Sequence, residues 1–458
     1  MADEISAPPR SPGHKFLLTV LLGLLLSIPI FSVYLLVYDR ASQSETARSS
    51  IVSGWGQAQE LAGPFIAIPF TQTVETVDNS TGQAVRRVER RDRTLFVAPA
   101  NVAYDTKLAT ERRQRSIYEA VVYSARVRVG GTFAMPNLAA LGIDPATLRL
   151  NEAEIRMGVS DAKGLGGSPP LVRIDGQSIP LVPGSSLSQT SNSGFTGRLP
   201  QPPTAERNIA FDIAFDVRGN GQITLIPSAQ DTRWTASSVW ASPSFQGGFL
   251  PTTRTVSDKG FTASWRVGNL ALNRPTVSID EQSVNSGDKI TVALVDPVDL
   301  YDQVGRATKY GFMFVGFTFV ALLMFDLIGG VSIAGPSYLL VGAGLVLFFV
   351  LLLAFAEVIG FPPAYALASL GIVGLVASYS AAVLKSWRRG GVIGGLLLAL
   401  YAILYILLSL EAYSLLIGSL MIFAALAAVM YFTRNIEWRR VGAVPPPAAP
   451  MEETSAEA

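Results

Sequence analysis

The sequence predicts a membrane protein of mixed α and β structure. Six transmembrane helices, one N-terminal anchor and a five-helix C-terminal bundle, flank a large antiparallel β-rich domain. Three observations predict this. The 458-residue chain is 49% hydrophobic and only 16% charged, and a mean hydropathy of +0.36 is too apolar for a wholly soluble protein. Runs long enough to cross a bilayer cluster towards the two ends. Between them, apolar and polar residues alternate with the period of β-strands.

Residues 1–15 read as a cytoplasmic tail, and 16–38, "FLLTVLLGLLLSIPIFSVYLLVY", as an uncleaved anchor helix. The run exceeds the about 20 residues a span needs. It is longer than a signal-peptide core of roughly 7–15 residues, and no A-x-A site follows it. Residues 311–433 form the bundle, with apolar stretches at about 312–333, 337–356, 362–384, 391–410 and 413–432. Basic residues fix the orientation. With Arg10 and Lys15 inside, strict alternation also places Lys385, Arg388, Arg389, Arg434, Arg439 and Arg440 inside, as the positive-inside rule requires. Residues 39–310 then lie outside. The Pro/Ala-rich, acidic stretch within 434–458 reads as a disordered cytoplasmic tail.

In "VVYSARVRV", Val121, Tyr123, Ala125, Val127 and Val129 share one face; in "IAFDIAFDV", Ile209, Phe211, Ile213, Phe215 and Val217 do the same. A "GNG" turn then leads into a return strand. "TLFVAPANVAY" and "KITVALVDP" are further strands, and part of "TKLATERRQRSIYEA" reads as helix. About 270 residues suffice for a substantial core, as one elaborated sandwich or two lobes.

The inventory excludes much chemistry. The sequence has no cysteine and one histidine, His14. This removes disulfides, thiol nucleophiles, Ser-His-Asp triads and sites built on several imidazoles. No catalytic, cofactor-binding or metal-binding residue is assigned. A net charge of +1 gives no general attraction for nucleic acid. The stretch "GVSDAKGLGGSPP" at 158–170 invites a phosphate-cradle reading. Its glycines, however, match neither G-x-G-x-x-G nor the P-loop, Lys163 precedes them, and the segment lies outside. Gly164, Gly166 and Gly167 instead read as positions whose backbone excludes a side chain, with positive φ as the expected sign.

Other positions carry weaker signals. "RRVERRDR" (Arg86, Arg87, Arg90, Arg91 and Arg93) reads as a solvated strand with mutual ion pairs, or as a grip on phosphate groups. Trp234, Trp240, Phe245 and Phe249 form either part of the core or an aromatic rim. Asp326 is an ionisable residue within a span; near the cytoplasmic helix end, it reaches headgroups or marks an ion path. Glu357 and Glu411 sit at external helix ends, as an acidic mouth or as interface residues. "GGVIGG" gives two G-x-x-x-G spacings, Gly390 with Gly394 and Gly391 with Gly395, suited to close helix packing. Arg306 and Lys309 lie at the external surface, against the positive-inside tendency, and are expected to pair with headgroup phosphates or with Asp299 and Asp302.

Over nearly its whole length the chain resembles the CreD family of inner-membrane proteins. The matching stretches are "LAGPFIAIP", "VSDAKGLGG", "WASPSFQGGFLP", "RATKYGFMFVGFTFVALLMFD", "YLLVGAGLVLFFVLLLAFAEVIGF" and "TRNIEWRR". The resemblance implies a bacterial inner-membrane protein with the β-rich domain in the periplasm, a role in cell envelope integrity and, in some bacteria, a link to a two-component system. It carries no catalytic residue across. The tail and the arginine-rich segment near residue 90 look peculiar to this chain. Three readings follow: a non-enzymatic envelope-integrity or envelope-stress protein, a carrier of a lipid or small envelope-active molecule, and a sensor. The expected partners are the bilayer and envelope lipids or proteins, with no nucleic acid.

Overall fold

The computed structural model describes residues 12–78, 85–136, 143–204, 207–296, 299–328, 334–410 and 414–434. The chain divides into a helical unit, Met1–Gln43 with Val298–Ala458, and a β-rich unit, Ser44–Pro297.

The helices are α1 (Pro12–Ser53), whose residues from Ser44 on fall in the β-rich unit, and, in the helical unit, α2 (Leu300–Ile328), α3 (Gly335–Ile359), α4 (Phe361–Val383), α5 (Trp387–Ser409) and α6 (Ser414–Thr433). Among the described residues, five are long and apolar enough to cross a membrane, and α6 carries a shorter apolar stretch, Leu416–Tyr431. The helices bordering the β-rich unit are longer than the apolar runs. α1 continues past Tyr38 through "DRASQSETARSSIVS", where no Gly or Pro stops it before Gly54. α2 begins at Leu300 rather than near 311, because the Asp299 carboxylate accepts from the N–H groups of Tyr301 (2.8 Å) and Asp302 (3.3 Å), an N-cap. Between α3 and α4, Gly360 takes φ +81° and Pro362 follows in the first turn of α4, the usual stop and start residues.

Packing in the bundle resolves the glycine pairs. A Cβ on Gly390 would lie 2.5 Å from that of Ala381, and one on Gly394 2.9 Å from that of Ala377, so this pair seats α5 on α4. Gly391 and Gly395 meet nothing within 4 Å. Phe348 of α3 packs on Tyr365 of α4 and Tyr401 of α5, and the Tyr365 hydroxyl donates to the Tyr401 carbonyl at 2.7 Å.

Among the described residues, the β-rich unit has seventeen strands. In chain order these are β1 (Gln59–Asp78), β2 (Val85–Val97), β3 (Asn101–Arg115), β4 (Tyr118–Phe133), β5 (Glu154–Val159), β6 (Leu171–Ile174), β7 (Gln177–Ser178), β8 (Leu181–Pro183) and β9 (Gly194–Arg198). There follow β10 (Ile209–Asn220), β11 (Gln222–Ile226), β12 (Asp231–Ser238), β13 (Pro243–Gly247), β14 (Thr253–Ser257), β15 (Gly260–Gly268), β16 (Val277–Ile279) and β17 (Ile290–Leu294). One sheet runs β13-β17-β11-β1-β5-β9-β8, with β2 and β16 branching from β1; the other runs β14-β15-β12-β3-β4-β10-β6-β7. Pairing is antiparallel except between β1 and β11 and between β12 and β3. Both sheets contribute to one apolar core.

The alternations land as read: Val127, Val129, Ile209, Phe211, Ile213, Phe215 and Val217 are buried, and Arg126 and Arg128 are exposed. Two local expectations change. "TKLATERRQR" is strand, because alternation continues through Val102, Tyr104, Thr106 and Leu108 and β3 pairs with β4 to its end. The "GNG" turn joins no hairpin. At Gly221, φ +60°, the chain crosses sheets: β10 pairs with β4 and β6, whereas β11 pairs with β1 and β17. The Tyr123 hydroxyl of β4 spans this crossing, donating to the Gln222 carbonyl at 2.8 Å. Tyr104 of β3 donates to the Gly63 carbonyl of β1. Burial raises both phenols well above their ordinary pKa, so both remain neutral donors.

Candidate functional site

Glu357, in the last turn of α3, is where the helical unit concentrates charge. Its side chain is only 7% exposed and lies 3.5 Å from the Arg40 guanidinium of α1. It also accepts the Tyr301 hydroxyl of α2 at 3.1 Å. A buried carboxylate is costly unless paired and hydrogen-bonded, and here α1 supplies the charge and α2 the donor. The arrangement ties three helices together at one end and leaves the carboxylate committed to them. Glu411, the other acidic residue read at an external helix end, lies outside the described residues. Sequence reading missed Arg40 and Tyr301. Arg40 did carry a signal, as a cation just beyond an apolar run.

Arg306 and Lys309 both lie on α2, Arg306 half-buried and Lys309 exposed. The Asp299 carboxylate caps the same helix. Asp326 lies in the last turn of α2, and the side chain is outside what the structure describes. Arg439, Arg440 and the rest of the tail from 435 also lie outside the described residues, as do the side chains of Arg86 and Arg87. Of the arginine-rich stretch, Arg91 pairs with Glu89 at 3.0 Å and Arg93 with Asp280.

The aromatic group packs inward. Trp234 is 1% exposed, stacks on Trp265 at 4.8 Å and donates its indole N–H to Thr106 at 3.0 Å. Phe245 meets the edges of Phe261 and Trp265, and the Phe249 carbonyl accepts the Trp265 indole N–H at 3.2 Å. Trp240 donates to the Val295 carbonyl at 3.1 Å, with the Arg112 guanidinium 5.4 Å from its ring. Arg112 is itself held in a fork by Asp296 at 3.0 and 3.1 Å and by Glu119 at 3.1 Å, contacts that raise its pKa further. Trp234 is buried, and Trp240, Phe245 and Phe249 are half-buried against the core, where their contacts hold strands together.

The glycine loop separates into three cases. A Cβ on Gly164 would overlap the Arg218 carbonyl and the Gln59 side-chain amide; on Gly166 it would meet only the flexible end of Arg218, at 3.3 Å. Gly167 alone has a positive φ, +119°. Among the described residues, no group of three or more His, Asp or Glu is placed to hold a metal ion.

The family described as "Inner membrane protein CreD" matches residues 11–439. Inner membrane protein CreD of Escherichia coli (strain K12) is 32% identical over 422 residues, covering 91% of each chain. Among solved structures, an M1 zinc metallopeptidase from Deinococcus radiodurans aligns at 11% identity and a TM-score of 0.19, over 43% of this chain and 42% of that one. A substrate-bound mutant of that enzyme aligns at 11% identity and 0.20, over 45% and 52%. Likeness at that level carries no inference about this chain.

Proposed function

This chain belongs to the CreD family and is a multi-pass inner membrane protein, and from that premise we propose that it supports cell envelope integrity without catalysing a reaction. Its N- and C-termini are cytoplasmic and its β-rich unit stands in the periplasm. Arg306 and Lys309 engage lipid headgroup phosphates there, and envelope lipids or proteins are the partners.

The observation that supports this reading best is the Arg40–Glu357–Tyr301 tie. An ionisable residue at the end of a span marks a path for ions or substrate when it faces a cavity, and here it holds α1, α2 and α3 to one another. That suits a rigid anchor. A second reading has its own observation: an apolar cavity of about 660 Å³ opens between α2, α5 and α6, lined among others by Phe317, Met324, Leu396 and Ala425. It favours a lipid carrier.

Deletion of the gene, followed by detergent and antimicrobial challenge, tests the proposal. We expect sensitivity that the parent sequence restores, and that Asp326→Asn restores equally. Failure of Asp326→Asn to complement, with lipid copurifying with the parent protein, would favour the carrier. An unchanged phenotype on deletion would overturn the envelope role.

A further inference from the structure

One row of side chains crosses six adjacent strands on the outer face of the second sheet. The register places Thr255 of β14 opposite Thr262 of β15, Thr262 opposite Ser237 of β12, and Ser237 opposite Lys107 of β3. Lys107 then faces Arg126 of β4, and Arg126 faces Asp216 of β10. Directly opposed residues share a face, and none of the six is buried. At about 4.8 Å per strand the row is roughly 24 Å long, with hydroxyls at one end and charge at the other.

The surface along this row is hollow for a reason legible in the next register. Ala109 and Ser124, both short, stand beside Lys107 and Arg126 and lead to Arg218. The wall opposite is the Gly166–Gly167–Ser168 loop, and the hollow measures about 640 Å³, within the roughly 300–1,000 Å³ of small-molecule sites. A second hollow of about 440 Å³ continues over the hydroxyl end, shares Lys107 and Val239, and adds Lys259.

The electrostatics of the first hollow are unbalanced. Lys107 and Arg126 are like charges directly opposed across a strand pair, which is unfavourable without a counterion. Among the described residues, Asp216 is the one carboxylate lining the hollow, 3.6 Å from Arg126. Arg218 rests its guanidinium on the Trp55 ring at 4.7 Å. Three cations and one carboxylate share the hollow, and guanidinium groups pair with planar or tetrahedral oxyanions through two donors at once.

We propose that this trough binds an acidic oligosaccharide, its carboxylate or phosphate groups held by Lys107, Arg126 and Arg218 and its uncharged sugar hydroxyls by Ser237, Thr262 and Thr255. Binding to the purified full-length chain in neutral detergent is measured independently of orientation in the membrane, and the charge variants assign it to this trough. The probes are hexagalacturonate and a phosphorylated mannose pentasaccharide, with maltohexaose, inorganic phosphate and glycerol phosphate as an uncharged sugar, a free ion and a lipid headgroup. Titration calorimetry should show at least one acidic saccharide binding about tenfold or more tighter than every control, weakened by salt. Lys107→Ala with Arg126→Ala should weaken it by about tenfold or more, and Asp216→Asn should tighten it. All three positions are at the surface, and an unchanged melting temperature confirms folding. The proposal is overturned if neither acidic saccharide outbinds maltohexaose, if phosphate or glycerol phosphate binds as tightly, or if the charge variants leave affinity unchanged.

Discussion

Replacing Arg40 with alanine removes the only cation the structure places against the Glu357 carboxylate among the described residues. Loss of one partner from a fully buried ion pair costs about 3–5 kcal/mol, while an exposed pair contributes about 0–1 kcal/mol. Glu357 is 7% exposed and Arg40 39%, at 3.5 Å, so the pair lies between these limits. We expect Arg40→Ala to cost about 1–2 kcal/mol. Tyr301→Phe keeps the ring and removes a donor to a charged acceptor, about 1.5–3 kcal/mol. Because both act on one carboxylate, Arg40→Ala in a Glu357→Gln background should cost measurably less than in the parent, with a coupling of about 1 kcal/mol. Unfolding of the purified protein in detergent micelles, followed by helical circular dichroism, measures all four corners of the cycle. Additivity within about 0.3 kcal/mol, or single variants as stable as the parent, would refute the tie.

The glycine loop should rank its own substitutions by melting temperature: Gly164→Ala most damaging, Gly167→Ala next through its +119° φ, and Gly166→Ala mildest. Trp234→Ala should cost about 3–5 kcal/mol in the β-rich unit, because it leaves both the Trp265 stack and Thr106 without their partner; Trp240→Phe, which keeps most of the ring, should cost far less. Asp231 is held below the ordinary carboxylate pKa chiefly by its hydrogen bond to Arg266, with Arg233 adding to it. Its stabilising contribution is therefore present above the unfolded value of about 3.9 and lost as pH falls through the lower folded value. Asp231→Asn should accordingly melt below the parent at pH 7, with the gap closing under strongly acid conditions.

What could be read in advance was whatever composition and local periodicity encode. Six apolar runs gave the helices, and Val127, Ile213 and Phe215 declared their faces by alternation alone. The ends of α1 and α2 were misplaced because hydropathy reports the solvent a helix meets, whereas length follows propensity and capping: Asp299 starts α2 inside a polar stretch. The tail of β3 looked helical because "TERRQR" is rich in helix formers, and pairing with β4 along its whole length overrode that preference. The sites were less legible still. Arg40, Tyr301 and Glu357 come from three helices, and the row from Thr255 to Asp216 depends on register between strands distant in sequence. Neither leaves a local pattern.

The natural absence of cysteine makes the central claim directly measurable, since any single introduced thiol reports without background. Gln177→Cys places one on the exposed β7 and Trp387→Cys one at the exposed start of α5, each probed in intact spheroplasts with a membrane-impermeant maleimide. A β-rich unit held in the periplasm by a multi-pass bundle predicts labelling of Gln177→Cys at once and of Trp387→Cys only after the membrane is permeabilised. Labelling in the reverse order, or of both thiols in intact spheroplasts, would contradict it.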